Sequence, residues 1–369
     1  MIVTMIKIMH VLTDTNIGGA GIWLQNFVRA FDRKRYEVIA ALPKNAALTP
    51  RLEALGIRVC EVANIADESF SLIGIKEFKQ LFAKEKPDIV HTHASLSARI
   101  AARQCKIPVV NTRHCIESPK QGVKKLIYST INNSLSDIVI GVSKASYNNL
   151  LADGTKKDKL RLVYNGVYPI KRLSAEERKN IKSHYKIPQN NIVVGIVARL
   201  EPVKNHKLFL DATALVAKQR EDITFLIVGK GSCEQSLKQY AAELGIEKRV
   251  IFAGYCEDIT ELMNIIDINT LTSCKEALSI SLIEGMSINI PAVATDSGGP
   301  AEVIENNVSG IIVKNLDAKM FAEAVLYLAD NPKEREKMGK EGKKRSEDIF
   351  SIEGMIKGLD EIYDRLADK

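Results

Sequence analysis

Short runs of Val, Ile, Leu and Ala recur along the chain, separated by longer segments whose apolar positions follow helical spacing. The runs at 5–12, 36–42, 57–62, 88–92, 108–112, 137–142 and 160–164 predict seven strands in the first half. Those at 192–198, 223–228, 249–253, 267–271, 291–295 and 310–313 predict six more. Most are continuously apolar rather than alternating, which marks strands buried on both faces, as in a parallel sheet covered by helices. Two such series predict two doubly wound α/β domains. Residues 171–190 are polar and charged, and predict a linker carrying a short helix. Residues 332–367 read as helical: Pro332 starts one segment, and Ile352, Met355, Ile356, Leu359, Ile362 and Leu366 repeat at i, i+3, i+4 in another. The expected division is therefore a first domain over 1–168, a linker over 169–190, a second domain over 191–345 and a terminal helix over 346–369.

Length and composition agree with this plan. A chain of 369 residues with 46% hydrophobic and 26% charged positions fits two folded domains and excludes collagen-like, disordered and disulfide-scaffold classes. No apolar run reaches the roughly 20 residues of a spanning helix. The opening segment MIVTMIKIMHVL reads as a strand rather than a secretory leader. The cysteines Cys60, Cys105, Cys115, Cys233, Cys256 and Cys274 have no metal-ligand spacing and read as reduced thiols of a cytoplasmic protein. Charge is unevenly spread: residues 1–168 carry +10 and residues 169–369 carry −3. The first half is thus expected to meet something anionic.

In open parallel sheets, ligands bind beyond the carboxyl ends of the strands. After the first predicted strand come Gly18, Gly19 and Gly21, at the start of an amphipathic helix. Such glycines allow close backbone approach, and helix-start amides attract anions. The spacing is not that of a dinucleotide fingerprint, and no acidic residue ends the second strand, which disfavours a Rossmann dehydrogenase. The fourth strand ends in His91-Thr92-His93, and the fifth in Asn111, Thr112, Arg113 and His114. Arg199 and Lys204 follow the first strand of the second series, placed to neutralise a diphosphate. Glu276 lies in a loop and Glu284 about two helical turns further on. Between them, the amides of Leu278, Ser279, Ile280 and Ser281 open a helix suited to phosphate.

Taken in this order, the Gly loop, the HxH, the YNGV of 164–167, the RLxxxK of 199–204, the Glu276–Glu284 pair and the terminal helix resemble the retaining glycosyltransferases of family 4, with the GT-B fold. The resemblance covers the whole chain. It implies two Rossmann-like domains facing each other across a cleft, with the last helix returning to the first domain. It also implies roles. Glu284 binds the ribose hydroxyls of a nucleoside-diphosphate sugar, and Glu276 contacts the donor sugar. Arg199, Lys204 and the amides of 278–281 hold the diphosphate. Gly18 and Gly19 approach donor phosphate or sugar, His93 hydrogen-bonds the donor sugar, and Asn111, Arg113 and His114 border the acceptor. Where the family often reads EGFG, this chain has Glu276-Ala277-Leu278-Ser279, a departure that bears on donor preference.

The implied reaction is hexosyl transfer with retention, from a UDP-sugar as the commonest choice, to a sugar or lipid-linked glycan in cell-surface polysaccharide or glycolipid synthesis. No Asp-x-Asp occurs in the chain, so neither a metal nor another cofactor is expected. Nucleic acid is not an expected partner, because no aromatic-rich basic segment appears. Residues 120–135 combine Lys120, Lys124 and Lys125 with an apolar row at Val123, Ile127, Ile131 and Leu135, and Arg99, Arg103 and Lys106 add to the basic count. An expected location is the inner face of the cytoplasmic membrane, against anionic lipid. The rival readings are a sugar-nucleotide 2-epimerase and a non-catalytic nucleotide-sugar-binding protein.

Overall fold

A computed structural model describes residues 5–367. Two compact units are present, Met1–Gly166 with Ser351–Lys369, and Val167–Phe350. In the first unit the strands are β1 (Ile6–Val11), β2 (Tyr36–Pro43), β3 (Arg58–Val62), β4 (Ile89–Thr92), β5 (Val109–Arg113), β6 (Ile138–Gly141) and β7 (Leu160–Leu162). They form one parallel sheet in the order β3-β2-β1-β4-β5-β6-β7. The second unit has β8 (Ile192–Val197), β9 (Ile223–Val228), β10 (Val250–Gly254), β11 (Ile268–Leu271), β12 (Ala292–Thr295) and β13 (Gly310–Val313), also parallel, in the order β10-β9-β8-β11-β12-β13. Every apolar run expected to be a strand is one, to within two residues at each end. Continuous hydrophobicity reports burial on both faces: Ile8, Met9, Val90, Val109, Val193, Val194 and Ile268 are all fully buried.

In both sheets the strand order reverses once, between β1 and β4 and between β8 and β11. A crevice opens at such a switch point because successive helices leave to opposite faces of the sheet. Helix starts near these points are capped by side chains that sequence spacing makes available. Ser95 accepts from the amide of Ala98, and Ser279 from that of Leu282.

The last helix, Ile352–Ala367, belongs to the first unit, as the resemblance implied. It buries Ile352, Met355, Leu359, Ile362, Tyr363 and Leu366. Arg35 of the same unit pairs with Asp360 at 3.0 Å and Asp364 at 2.6 Å. Gly166 of the YNGV segment lies against the start of this helix, where a Cβ would fall 2.6 Å from Ile352 Cα and from Ser351 O. Any larger residue would push the returning chain away.

The segment expected to be a linker is part of the second unit. Its helix, Ala175–His184, opens with a capping box between Ser174 and Glu177. Ile170, Ile181, Tyr185 and Ile187 pack with Leu262, Met263, Ile265 and Ile266. Four apolar residues among many charges were enough to dock it. Helix Pro332–Ile349 also lies in this unit, so the chain changes unit at Ser351 rather than near 346. Among the described residues, no helix is long and apolar enough to cross a membrane.

Candidate functional site

The first unit gathers four histidines at its switch point. His10 lies in β1 and His91 in β4, paired in register. His93 and His114 follow the ends of β4 and β5. His91 is held from both sides, by Tyr363 Oη at 2.6 Å and Thr112 Oγ1 at 2.7 Å. His93 Nε2 lies 3.2 Å from His10 Nδ1, and His93 Nδ1 lies 2.8 Å from His114 Nε2. Trp23 covers the group, with ring centroids 4.8 Å from His93 and 5.9 Å from His114. Burial lowers all four imidazoles: His10 and His114 fall to about 3, and His91 and His93 fall well below the ordinary value. All four are therefore neutral at physiological pH.

This changes the expected role of His93. Both of its ring nitrogens are engaged inside the protein, and the residue is 4% exposed. No nitrogen is left to hydrogen-bond a sugar. The outermost ring, His114, instead keeps a buried Nδ1 with no hydrogen-bond partner in the protein. Asn111 is also turned inward: it is buried, and its Oδ1 accepts from Thr92 Oγ1 at 3.0 Å. Arg113 is paired with Glu117. Of the three expected acceptor-side residues, His114 alone presents an unsatisfied atom.

Three of these imidazoles, His10, His91 and His93, lie close enough to suggest a metal. The ring geometry argues otherwise. His91 and His93 stack at 12°, and both nitrogens of His91 are already bonded to hydroxyls. Stacked rings direct their in-plane lone pairs side by side, not to a common point.

Gly18 is the N-cap of helix Gly19–Ala30 and makes no side-chain cap. A Cβ at Gly18 or Gly19 would meet nothing within 4 Å, whereas one at Gly21 would press on Ile17 at 3.3 Å. Packing explains the third glycine but not the first two. Their bare backbone leaves a cradle open before a helix start.

In the second unit, the chemistry collects around the β8–β11 switch point. Arg199 follows β8 and is exposed. Lys204 ends a short 3₁₀ turn, Pro202–Lys204, and Asn205 then takes a left-handed conformation. The segment that follows β11 holds this turn in place: Thr272 Oγ1 donates to Lys204 O at 3.0 Å, and the amide of Cys274 donates to Val203 O at 2.8 Å. The ammonium of Lys204 thereby reaches the carboxylate of Glu276, to which Ser273 Oγ also donates, at 3.2 Å. Glu276 in turn is clamped by the turn that begins at Asp296. Its amide donates to Ser297 O at 3.0 Å, and its carbonyl accepts from the Gly299 amide at 2.8 Å. A Cβ at Gly299 would lie 2.1 Å from Ala277 O, so only glycine permits this closure.

Helix Ile280–Ser287 begins four residues after Glu276 and is capped by Ser279. Its first-turn amides, with those of Leu278 and Ser279, have no partner within the helix. Glu284 lies one turn in. Burial, assisted by Asp258, pushes its carboxyl up to about 7. Lys204, Glu276 and the helix start are thus assembled in one place, with Glu284 on the same helix, while the Arg199 side chain stays in solvent. Sequence reasoning missed three features here. Gly229 and Gly231 let the chain pass close to Ala198 O and Leu200 O, at 2.0 and 2.4 Å from their would-be Cβ atoms. His206, 2% exposed and beside Lys204, has neither ring nitrogen bonded. The GKG spacing at 229–231 was the available signal for the glycines.

Two sequence profiles match almost the whole chain between them: glycosyl transferases group 1 over residues 177–345, and glycosyltransferase family 4 over residues 17–169. The chain belongs to the group 1, family 4 glycosyltransferases. It is 27% identical over 307 residues to the putative glycosyltransferase EpsD of Bacillus subtilis, covering 79% of this chain and 80% of that one. It is also 27% identical over 331 residues to the Escherichia coli UDP-Gal:α-D-GlcNAc-diphosphoundecaprenol α-1,3-galactosyltransferase, covering 84% and 82%. The fold matches that of Anabaena HepE in complex with UDP and glucose, with TM-score 0.86, 23% identity and coverage of 97% and 99%. This group 1 glycosyltransferase thus has the GT-B architecture, built from two doubly wound parallel sheets.

One expectation about the surface of this glycosyltransferase fails. Arg99 is 5% exposed and donates to Ile131 O at 3.2 Å and Asn132 Oδ1 at 2.9 Å. It fastens helix Leu96–Gln104 to helix Gly122–Leu135 instead of adding to a basic face.

Proposed function

We propose that this glycosyltransferase transfers a hexosyl group from a UDP-sugar to a hydroxyl acceptor with retention, and without a metal ion. The carrying observation is the convergence of Lys204, Glu276 and the start of helix Ile280–Ser287, with Glu284 one turn along. Lys204 and the helix amides would stabilise charge on the leaving diphosphate, as a fixed cation and dipoles do for a developing anion. Arg199 would close on the same group from solvent. Glu276 would hold hydroxyls of the donor sugar, and Glu284 those of the ribose. The bond from the anomeric carbon to the phosphate oxygen breaks. The acceptor oxygen bonds to that carbon on the same face, and its proton passes to the departing phosphate oxygen. No protein nucleophile is needed. UDP is favoured as the carrier because HepE holds UDP and glucose, and because the E. coli relative takes UDP-Gal.

Thermal-shift titration with UDP, GDP and ADP and their common sugars, with and without EDTA, tests the donor. A ligand at 100 times its Kd stabilises by about 2.7 kcal/mol. No response to any nucleotide removes the donor site, and a response that EDTA abolishes removes the metal-free reading. Formation of an isomer from a UDP-sugar alone would turn the reading to epimerisation.

One further observation supports a lipid-linked glycan acceptor at an anionic membrane. Gln121–Ile127 is exposed throughout, with Val123 at 72%, Leu126 at 66% and Ile127 at 55%. Lys124 and Lys125 interleave with them, and no acidic residue occurs between Glu117 and Asp137. An apolar, cationic helix start of this kind suits an acidic bilayer. Co-sedimentation with vesicles of 30:70 phosphatidylglycerol:phosphatidylcholine should be lost in Leu126→Glu/Ile127→Glu. Equal recovery of the two proteins would dismiss the membrane.

A further inference from the structure

The histidines of the first unit form two separate hydrogen-bond systems. One is closed: Tyr363, His91 and Thr112 satisfy one another. The other is an open file running His10, His93, His114, with gaps of 3.2 and 2.8 Å. Its two end atoms, His10 Nε2 and His114 Nδ1, are buried and find no partner in the protein. A buried polar atom left unpaired is costly, and its persistence calls for an explanation.

A neutral imidazole carries one N–H and one bare nitrogen. With one proton per ring, both bonds of the file can form in only two ways. Either every ring donates toward His114, leaving His114 Nδ1 a donor, or every ring donates toward His10, leaving His114 Nδ1 a bare acceptor. The three tautomers therefore change together or not at all.

The surroundings of the two ends choose between these states. His10 is packed against Phe27, with centroids 4.8 Å apart and tilted by 47°, and against Trp23 at 5.8 Å. Aromatic faces are negative, so they tolerate an N–H and repel a lone pair. At the other end, the guanidinium of the adjacent Arg113 acts on His114. A positive charge there favours a lone pair over an N–H. Both ends select protons on the three Nε2 atoms.

We propose that His10 and His93 are positioning residues that fix His114 in one tautomer, so that its Nδ1 accepts a hydrogen bond from a ligand hydroxyl. The chemical class is a polyol such as a sugar, and this part rests on the glycosyltransferase reading above. Trp23, which covers His91, His93 and His114, keeps the file dry and its bonds aligned.

The 369-residue chain has six histidines, so 15N-histidine labelling and two-bond 1H–15N spectra can report each tautomer. The expected result is Nε2–H at His10, His93 and His114. Detection of Nδ1–H at His114 would overturn the proposal. Transmission is tested with His10→Phe, which removes the acceptor for His93 and is expected to change the tautomer of His114, two rings away. His10→Asn, whose side-chain oxygen can accept from His93, should restore the original His114 spectrum. An unchanged His114 spectrum in well-folded His10→Phe also overturns the coupling. The wild-type tautomers decide the matter if that variant does not fold. Addition of UDP-glucose, UDP-galactose and their N-acetyl forms should move the His114 resonance selectively. If the tautomers hold and no sugar moves it, the sugar-facing role fails while the coupled file stands.

Discussion

Lys204 is ion-paired to Glu276, 72 positions away, and the pair is only 18% and 12% exposed at its two side chains. In the proposed function the same ammonium binds a diphosphate. The carboxylate therefore occupies the cation until the donor replaces it. Two substitutions should act in opposite directions on binding. Lys204→Ala should lower turnover about 10²–10³-fold, the size of a lost oxyanion donor, with little change in melting temperature. Glu276→Gln frees the ammonium and should tighten UDP binding several-fold by calorimetry while abolishing transfer. Full activity in Lys204→Ala, or weaker UDP binding in Glu276→Gln, would contradict this exchange.

Glu284 carries a pH dependence whose sign can be worked out. Burial raises its carboxyl to about 7 from 4.5, so the folded protein holds this proton more tightly than the unfolded chain. Its contribution to stability is complete below about pH 4.5 and is lost as pH rises through 7. Glu284→Gln should therefore stabilise the free protein at pH 8, by about 3 kcal/mol, and hardly at pH 4.5. Ribose hydroxyls donate best to the ionised form, so UDP-glucose should bind about tenfold more weakly at pH 6 than at pH 8. The glutamine variant should bind weakly with a flat profile. A wild-type affinity that does not vary between pH 6 and 8 would remove Glu284 from the ribose.

Tyr363 ties the returning helix to the sheet through a single bond to His91 Nδ1. Tyr363→Phe keeps the ring packing and leaves that nitrogen unpaired in the core. The expected cost is about 1–3 kcal/mol, measured by denaturant unfolding of the whole chain. No change in stability would show that the bond is replaced, for instance by water.

How much of this was legible beforehand depends on which residues must meet. The thirteen strands of the described residues could be read because a parallel strand buried on both faces advertises itself locally, as IVVGIVA and ITFLIV do. The placing of Glu276 in a loop and Glu284 on the helix after it was legible for the same reason, since loop and helix follow one another in the chain. The histidine file was not. His10, His93 and His114 come together only because β1, β4 and β5 are neighbours in the sheet, and strand order is not written in any one segment. Tyr363 depends on the terminal helix returning, so its partner was out of reach of spacing arguments. Arg99 is buried where the sequence predicts a basic surface, because helical periodicity tells which residues share a face but not what that face meets. The polarity of 171–190 predicts a linker with a short helix; the helix is there, but Ile170, Ile181, Tyr185 and Ile187 dock it into the second unit, and so few apolar positions do not stand out among the charges.

Gly18 and Gly19 separate function from folding. A methyl group at Gly19 would touch nothing within 4 Å, and Gly19 is the first residue of a helix. Alanine is the better helix former by about 0.5–1 kcal/mol, so Gly19→Ala should melt at the same temperature or slightly higher. If the bare backbone at this helix start receives a phosphate or sugar, the added methyl intrudes on the ligand alone. The KM for the donor should then rise at least tenfold in a protein that is no less stable. Gly21→Ala supplies the contrast, because its Cβ would press on Ile17 and crowd Leu48, so any loss of activity there should come with a lower melting temperature. Unchanged kinetics in Gly19→Ala would mean that this turn serves the fold and not the substrate.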